Sequence, residues 1–233
     1  VYERQLIPGN PVVQIRSQVT PEVYLRDSPE DYATLLKTAA PIKGARVLSI
    51  NPTAFGGGVA EMEDKTITTE GFADIKRTWA VLGIQPHEAQ VTKWYMHTKL
   101  QVPRDEQPDD LIFGDEQFKI LQGFIDREIN KIAPLIKEHD VLIAHDWQMA
   151  LAIKKIKEEI NPEMRVIFRN HIATLGKDMT TSGTPAHAVW SRLRESVLMA
   201  DVFVSHPIND FVPDDVPNEK VVFHPAYFDR YDE

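Results

Sequence analysis

From Lys43 onward, short apolar runs alternate with amphipathic stretches, the pattern of βαβ units built around a mostly parallel sheet. The runs at 46–50, 141–144, 165–168, 201–205 and 220–223 predict strands, with a weaker run near 89–94. Helical spacing appears between them. Leu121, Ile125, Ile129, Ile132 and Ile136 recur every three or four residues, and Pro134 is expected to break or kink the last turn. Met149, Ile153, Ile156 and Ile160 form one face, with Lys154, Lys155, Lys157, Glu158 and Glu159 on the other. Thr184-Pro185 opens a third helix bearing Val189, Leu193 and Val197. Earlier, Ser28-Pro29-Glu30-Asp31 reads as an N-cap, a Pro at the first helical position and acids in the first turn, with the helix ending by Pro41. The predicted fold is α/β, a Rossmann-like, doubly wound and mostly parallel sheet.

Three segments stand apart. Residues 1–29 carry Pro8, Pro11, Pro21 and Pro29 without helical period and predict an N-terminal arm, with Val12, Val13 and Ile15 as a short edge strand. Residues 61–71 (EMEDKTITTEG) are expected to interrupt the helix that should follow the glycines, and 101–115 (QVPRDEQPDDLIFGD) to form a polar excursion. The domain proper is then 30–229, with 230–233 opening a linker.

In open α/β sheets ligands collect outside the carboxyl ends of the strands, so the residues following each run carry the chemistry. The first run leads into Asn51-Pro52-Thr53-Ala54-Phe55-Gly56-Gly57-Gly58, and the second ends in His145-Asp146-Trp147-Gln148. The third ends in Arg169-Asn170-His171, the fourth in His206-Pro207 and the last in His224-Pro225. Four of the 8 histidines therefore share one predicted sheet edge. Gly56, Gly57 and Gly58 let backbone approach a ligand at a helix start, a cradle for a phosphate or sugar oxygen; the alternative is a plain tight turn. Asp146 is either a site residue or an N-cap. His206 and His224 precede prolines and rank as turn residues. Glu61 stands where a dinucleotide fingerprint needs its third glycine, and no Gly-Lys-Ser/Thr occurs, which disfavours Rossmann-type oxidoreductases and P-loop chemistry. A metal site on the histidines and Asp146 ranks lower, for want of a short ligand spacing.

Composition narrows the class. The chain has 233 residues, 42% hydrophobic and 26% charged, with no Cys, which excludes disulfide scaffolds and Cys-ligated metals. A net charge of −9 disfavours nucleic acid or an anionic membrane as the main partner. No apolar run approaches the roughly 20 residues of a membrane span, and no signal-peptide pattern is present, so a cytoplasmic location is expected. The start at Val1 rather than Met suggests a processed chain or a fragment.

Four segments together resemble the N-terminal half of retaining GT-B glycosyltransferases, most closely trehalose synthases and trehalose phosphorylases: SINPTAFGGGVAEM (49–62), AHDWQMAL (144–151), VIFRNHIAT (166–174) and FHPAYFD (223–229). HDWQ is also similar to glycogen and starch synthases, but the FGGGVAE context argues against these. The resemblance implies two Rossmann-like domains facing across a cleft, this chain being the acceptor-side one, and front-face substitution in which the leaving phosphate helps deprotonate the acceptor. It implies Gly56, Gly57 and Gly58 near donor phosphate or transferred glucose, His145, Asp146, Trp147 and Gln148 at the acceptor, and Arg169, Asn170 and His171 over the reacting sugar, with His171 and Asp146 as catalytic residues. No metal or cofactor is expected, only a nucleotide-sugar or sugar-phosphate donor for the full-length enzyme. The expected partners are a sugar acceptor such as glucose, a C-terminal donor domain and, in a homodimer, a second copy of the chain. The chain departs from the family where Cys-His-Ile-Asp is replaced by Asn170-His171-Ile172-Ala173, and it stops where the second domain would begin. Inactivity of the isolated chain is expected, and a non-catalytic carbohydrate-binding or regulatory module is the alternative.

Overall fold

The computed structural model describes residues 2–55, 58–101 and 112–225. Its centre is a six-stranded sheet, all parallel, built from β3 (Arg46–Asn51), β4 (Lys76–Val81), β5 (Val141–His145), β6 (Arg165–Arg169), β7 (Val202–Ser205) and β8 (Val221–Phe223) in the spatial order β4-β3-β5-β6-β7-β8. The chain leaves β3 toward the β4 edge and returns with β5 on the other side of β3, so the crevice expected at a switch of strand order lies between the carboxyl ends of β3 and β5.

Alternation along β3 shows how the two faces are filled. Leu48 and Ile50 point into the main core with Leu142, Ala144, Val166, Phe168 and Phe203. That core is closed by α6 (Asp115–Lys137), α7 (Ala150–Lys155) and α9 (Pro185–Leu198), the last preceded by the short α8 (Gly176–Thr180), through residues such as Phe124, Ile129, Ile153, Val189 and Trp190. Thr184 caps α9, its hydroxyl accepting from the His187 N–H at 3.0 Å. On the opposite face, α3 (Gly58–Phe72) packs Ala60 with Ala54 and Trp79, and α2 (Pro29–Ala39) contributes Ala39 to a third cluster with Val47, Ala73 and Ile75. Helices on both faces make the sheet doubly wound.

The short edge strand expected in the N-terminal arm is present, and other expectations are corrected. β1 (Tyr2–Leu6) and β2 (Val13–Ser17) form an antiparallel hairpin, and α1 (Pro21–Asp27) follows where the sequence shows no helical period. Val13 is buried beside Trp79, and the Pro11 carbonyl accepts the Val81 N–H at 2.8 Å, which covers the open edge of β4. The weak run near 89–94 is helical. Pro86 and a Gln85/Glu88 capping box open α4 (Pro86–Gln90), which continues through a π-helical turn (Val91–His97) into α5 (Thr98–Leu100). The strand expected there is β4, whose first residues are Lys76 and Arg77. Residues 61–71 do not interrupt α3: Thr66, Thr68 and Thr69 turn their hydroxyls back onto the carbonyls of Met62, Asp64 and Lys65, and tertiary partners hold the acids. Pro134 does not end α6, because it sits on the exposed side, where water can satisfy the carbonyl it leaves unbonded. Most of the 101–115 excursion (102–111) falls outside the described residues; Asp115 already belongs to α6.

Candidate functional site

The loop after β3 is braced from within. Asn51 Oδ1 accepts the indole N–H of buried Trp79 at 2.8 Å, and Asn51 Nδ2 donates to the Thr53 carbonyl. Thr53 Oγ1 accepts from the Phe55 N–H in a hydroxyl-closed turn. This bracing delivers the chain to the start of α3. Gly56 and Gly57 lie outside the described residues; Gly58 begins α3 and borders the cavity.

The cavity, about 430 Å³, opens at the expected switch point. Asn51 to Thr53 and the first turn of α3 form one wall, and His145, Asp146, Gln148, His171 and His206 the other, with His97 reaching in from the π-helical turn. Among the described residues no Arg or Lys lines it, so its chemistry is that of imidazoles, one carboxyl group, two amides and a hydroxyl. Among the described residues no group of three or more His, Asp or Glu side chains is arranged to hold a metal. Two buried polar atoms of the lining, His97 Nε2 and Gln148 Oε1, have no hydrogen-bond partner among the described residues. An unmatched buried polar atom is costly, and two belong to residues that line this one cavity.

Behind the wall lies a buried ion network. Arg77 on β4 grips Glu63 on α3 with two hydrogen bonds, 3.1 Å from Nε and 2.7 Å from Nη2, and donates from Nη1 to Glu70 at 2.9 Å. Burial alone would push the Glu63 carboxyl up, but the charges of Arg77 and His145 and their hydrogen bonds outweigh it and hold Glu63 well below the usual range. Glu63 is therefore ionised. Its Oε1 lies 3.0 Å from His145 Nε2, and Ser49 Oγ lies 2.7 Å from the same nitrogen. An ionised oxygen can only accept, so His145 Nε2 carries a proton.

His145 Nδ1 is 2.8 Å from His171 Nε2. The ring centroids are 5.0 Å apart and the planes 22° from parallel, a separation that this N···N distance allows only when the rings lie end to end. His171 is also held through its backbone: its N–H donates to Asp146 Oδ1 at 3.1 Å, and its carbonyl accepts from His206 Nε2 at 3.1 Å. Burial, followed by the positive fields of His145 and Arg169, holds the His171 imidazole well below its ordinary value, so it is neutral at pH 7. Asp146 sits at φ 65, ψ 171, a backbone region nearly reserved for glycine that costs on the order of 1–3 kcal/mol. It does not cap the following helix with its side chain. Burial pushes its carboxyl up, against the fields of His97, His145 and His206.

The structure thus brings His145, Asp146, Gln148, His171 and Gly58 to one cavity. Trp147 and Asn170 lie elsewhere. Trp147 is buried among Phe168, Trp190 and Phe203, and its indole N–H donates to Asn170 Oδ1 at 3.0 Å, so the two brace the loops behind the site. Arg169 stands beside the cavity rather than in its lining, its Nη2 3.5 Å from His224 Nδ1. His206, ranked as a turn residue, does line the cavity. Glu63, Arg77, Ser49 and His97 carried no sequence signal as site residues; the one available for His97 was helix spacing through 86–100, which would have moved it off a strand.

Residues 49–213 match the family model for the N-terminal domain of trehalose synthase. A trehalose phosphorylase of Pleurotus pulmonarius is 30% identical over 248 residues, covering 96% of this chain and 33% of that protein. A trehalose synthase of Rubrobacter xylanophilus is 33% identical over 146 residues, covering 62% of this chain and 33% of its own length. The chain spans about a third of the length of these relatives. Among solved structures, the N-terminal domain of Candida albicans trehalose-6-phosphate phosphatase aligns at a TM-score of 0.48 and 15% identity over 72% of this chain and 41% of that one, too slight a likeness to bear on the argument.

Proposed function

The chain belongs to the family of the trehalose synthase N-terminal domain, and on that premise we propose that it is the acceptor-side domain of a retaining glycosyltransferase that makes or phosphorolyses an α-glucoside such as trehalose. The observation that carries this reading is the cavity at the strand-order switch, with two unmatched polar atoms among its lining residues and, among the described residues, no Arg or Lys in that lining. Such a lining suits the hydroxyls of an uncharged hexose such as glucose. His171 and Asp146 are the residues proposed to act on the bound sugar: His171 is neutral and held from three directions, and Asp146 fixes its backbone.

Transfer needs a donor site as well. The proposed donor is a nucleotide sugar or a sugar phosphate, and the proposed location is the cytoplasm. The lack of Arg and Lys in the described lining is the reason to assign the donor phosphate to a second, GT-B-type domain, for which the longer relatives have room. The 233-residue chain by itself is then expected to bind acceptor without transferring glucose. The protein's own contribution is positioning and electrostatic stabilisation, with no protein nucleophile.

Calorimetric titration of this chain tests the reading. Glucose is expected to bind with a dissociation constant of about 1 mM, and His171→Ala to weaken it at least about tenfold without loss of fold. A folded chain that shows no heat with glucose, or an H171A variant that binds as well as the parent, overturns the assignment.

A further inference from the structure

His171 would hold its place with a single buried partner, yet the structure connects it to a chain of hydrogen bonds that ends in a fully buried ion pair, more than orientation requires. Read from the buried end, each partner fixes the next. Arg77 keeps Glu63 ionised, and Glu63 requires a proton on His145 Nε2. In the form of His145 that carries its one proton on Nε2, Nδ1 is a lone pair and accepts from His171 Nε2–H at 2.8 Å. The remaining ring nitrogen of His171, Nδ1, is then unprotonated, makes no hydrogen bond with the described residues, and belongs to a side chain that lines the cavity.

We propose that His145 and His171 form a two-imidazole proton relay between the cavity and Glu63. A hydroxyl bound in the cavity donates to His171 Nδ1. When its proton transfers there, the proton on His171 Nε2 passes to His145 Nδ1, so that His171 ends neutral with its proton on Nδ1 and His145 ends as an imidazolium whose charge is matched by the Glu63 carboxylate. One O–H and one N–H bond break and two N–H bonds form, with no net change in protons; the hydroxyl oxygen is left as the nucleophile, and the reverse sequence returns a proton to a departing oxygen. The end-to-end ring geometry is what such a transfer requires, since the shared proton moves along the N···N line. This gives a protein route for the proton beside the oxygens of a leaving phosphate, and it rests on the reading of the cavity as a hydroxyl site.

The surroundings favour charge on the inner ring. Glu63 and Glu70 from α3 and Arg77 from β4 lie on the His145 side, with Ser49 from β3. The outer ring faces Arg169 at the end of β6 and His206 after β7, while Asp146 after β5 holds its backbone N–H and is itself near His97. Burial and these positive neighbours keep His171 from retaining a proton, as a transmitting group must not. Glu63 and Arg77 are positioning residues, acting only through His145.

Ring-nitrogen NMR of the 15N-labelled chain tests the relay without ligand. At neutral pH both histidines are expected to be protonated at Nε2 alone. On acidification His145 should become doubly protonated while His171 moves its proton from Nε2 to Nδ1. A His171 already protonated at Nδ1 at neutral pH, or one that becomes the imidazolium before His145, overturns the proposal. Glu63→Gln keeps the shape and is expected to lower the midpoint of the transition by about one pH unit or more; an unmoved midpoint in a folded E63Q chain overturns it too. Saturating glucose should shift the His171 Nδ1 resonance. If glucose does not bind at all, the sugar assignment fails while the ligand-free tautomer pattern still decides the wiring; if glucose binds and Nδ1 does not move, the hydroxyl contact fails.

Discussion

The two ends of the same parallel sheet are built on opposite principles. At the amino edge, charged groups are half-buried or exposed and are matched: Asp140, just before β5, accepts from the backbone N–H and guanidinium of Arg46 at the start of β3. Asp201, just before β7, accepts from the Val166 N–H and from Lys157, and Lys220 donates to the last carbonyls around α9 at 2.7 and 2.9 Å. At the carboxyl edge, charge is buried, backbone is strained at Asp146, and His97 Nε2, Gln148 Oε1 and Ser205 Oγ lack partners among the described residues. Ends that share strands, and hence the same packing, differ in this way as the proposed sugar site at the carboxyl edge requires. The amino edge satisfies itself, and the carboxyl edge leaves polar groups unmatched among the described residues.

The largest expected effect is on the buried network. Arg77→Met removes the charge that neutralises Glu63 and Glu70 while keeping most of the volume, and leaves two carboxylates facing each other in the interior. Breaking a buried pair by deleting one partner costs roughly 3–5 kcal/mol. In a domain of this size that lowers the melting temperature by about 10 °C. A melt followed by circular dichroism that falls by less than about 3 °C would show the network to be dispensable to the fold and would blur the contrast between the ends.

Much of this was legible in the sequence and some was not, for physical reasons. The strand ends announced themselves because a buried strand is an apolar run and its polar terminus is abrupt: Asn51, His145, Arg169 and His206 could be read directly. The helices α6 and α9 were readable from their periodicity. The β4 strand was not, because Lys76 and Arg77 open it and Arg77 is buried only by virtue of two acids contributed from α3. For the same reason the acids of 61–71 read as surface, whereas Glu63 is 1% and Asp64 3% exposed, Asp64 being paired with Arg4 of the hairpin at 2.7 Å. Composition prices each charge as if in water, and only a tertiary partner far along the chain makes burial affordable. Trp147 erred the other way: next to His145 and Asp146 in sequence, it points into the core because the chain reverses its backbone at Asp146.

A smaller effect, of opposite sign, is expected at Asp146. Its carboxyl is pushed up by burial, so the folded state holds the proton more tightly than the unfolded chain does. The resulting penalty is absent below the ordinary carboxylate value of about 4 and sets in as pH rises through and above it. Asp146→Asn keeps an oxygen to accept the His171 N–H and removes the penalty. At neutral pH the variant is expected to melt about 3 °C higher, equivalent to about 1 kcal/mol, and the gain should vanish below about pH 4. A variant less stable than the parent at neutral pH would mean that the carboxylate is compensated in the fold, and the carboxyl edge would lose its character as the end that gives up stability.

The smallest effect belongs to the amino edge, and it sharpens the comparison most cheaply. Asp140 is held down to about 2, first by its hydrogen bonds with Arg46. Yet its side chain is 49% exposed and that of Arg46 50%, so water and salt screen the pair and the shift converts into little stability. Because the folded value is depressed, what stability there is exists above the ordinary carboxylate value and is lost as pH falls toward 2. Asp140→Ala is expected to change the melting temperature by about 2 °C or less at neutral pH, and by less still in 1 M salt, where the Debye length is about 3 Å. A loss that rivals Arg77→Met and survives high salt would show that bidentate geometry, rather than burial, sets the worth of an ion pair on this sheet.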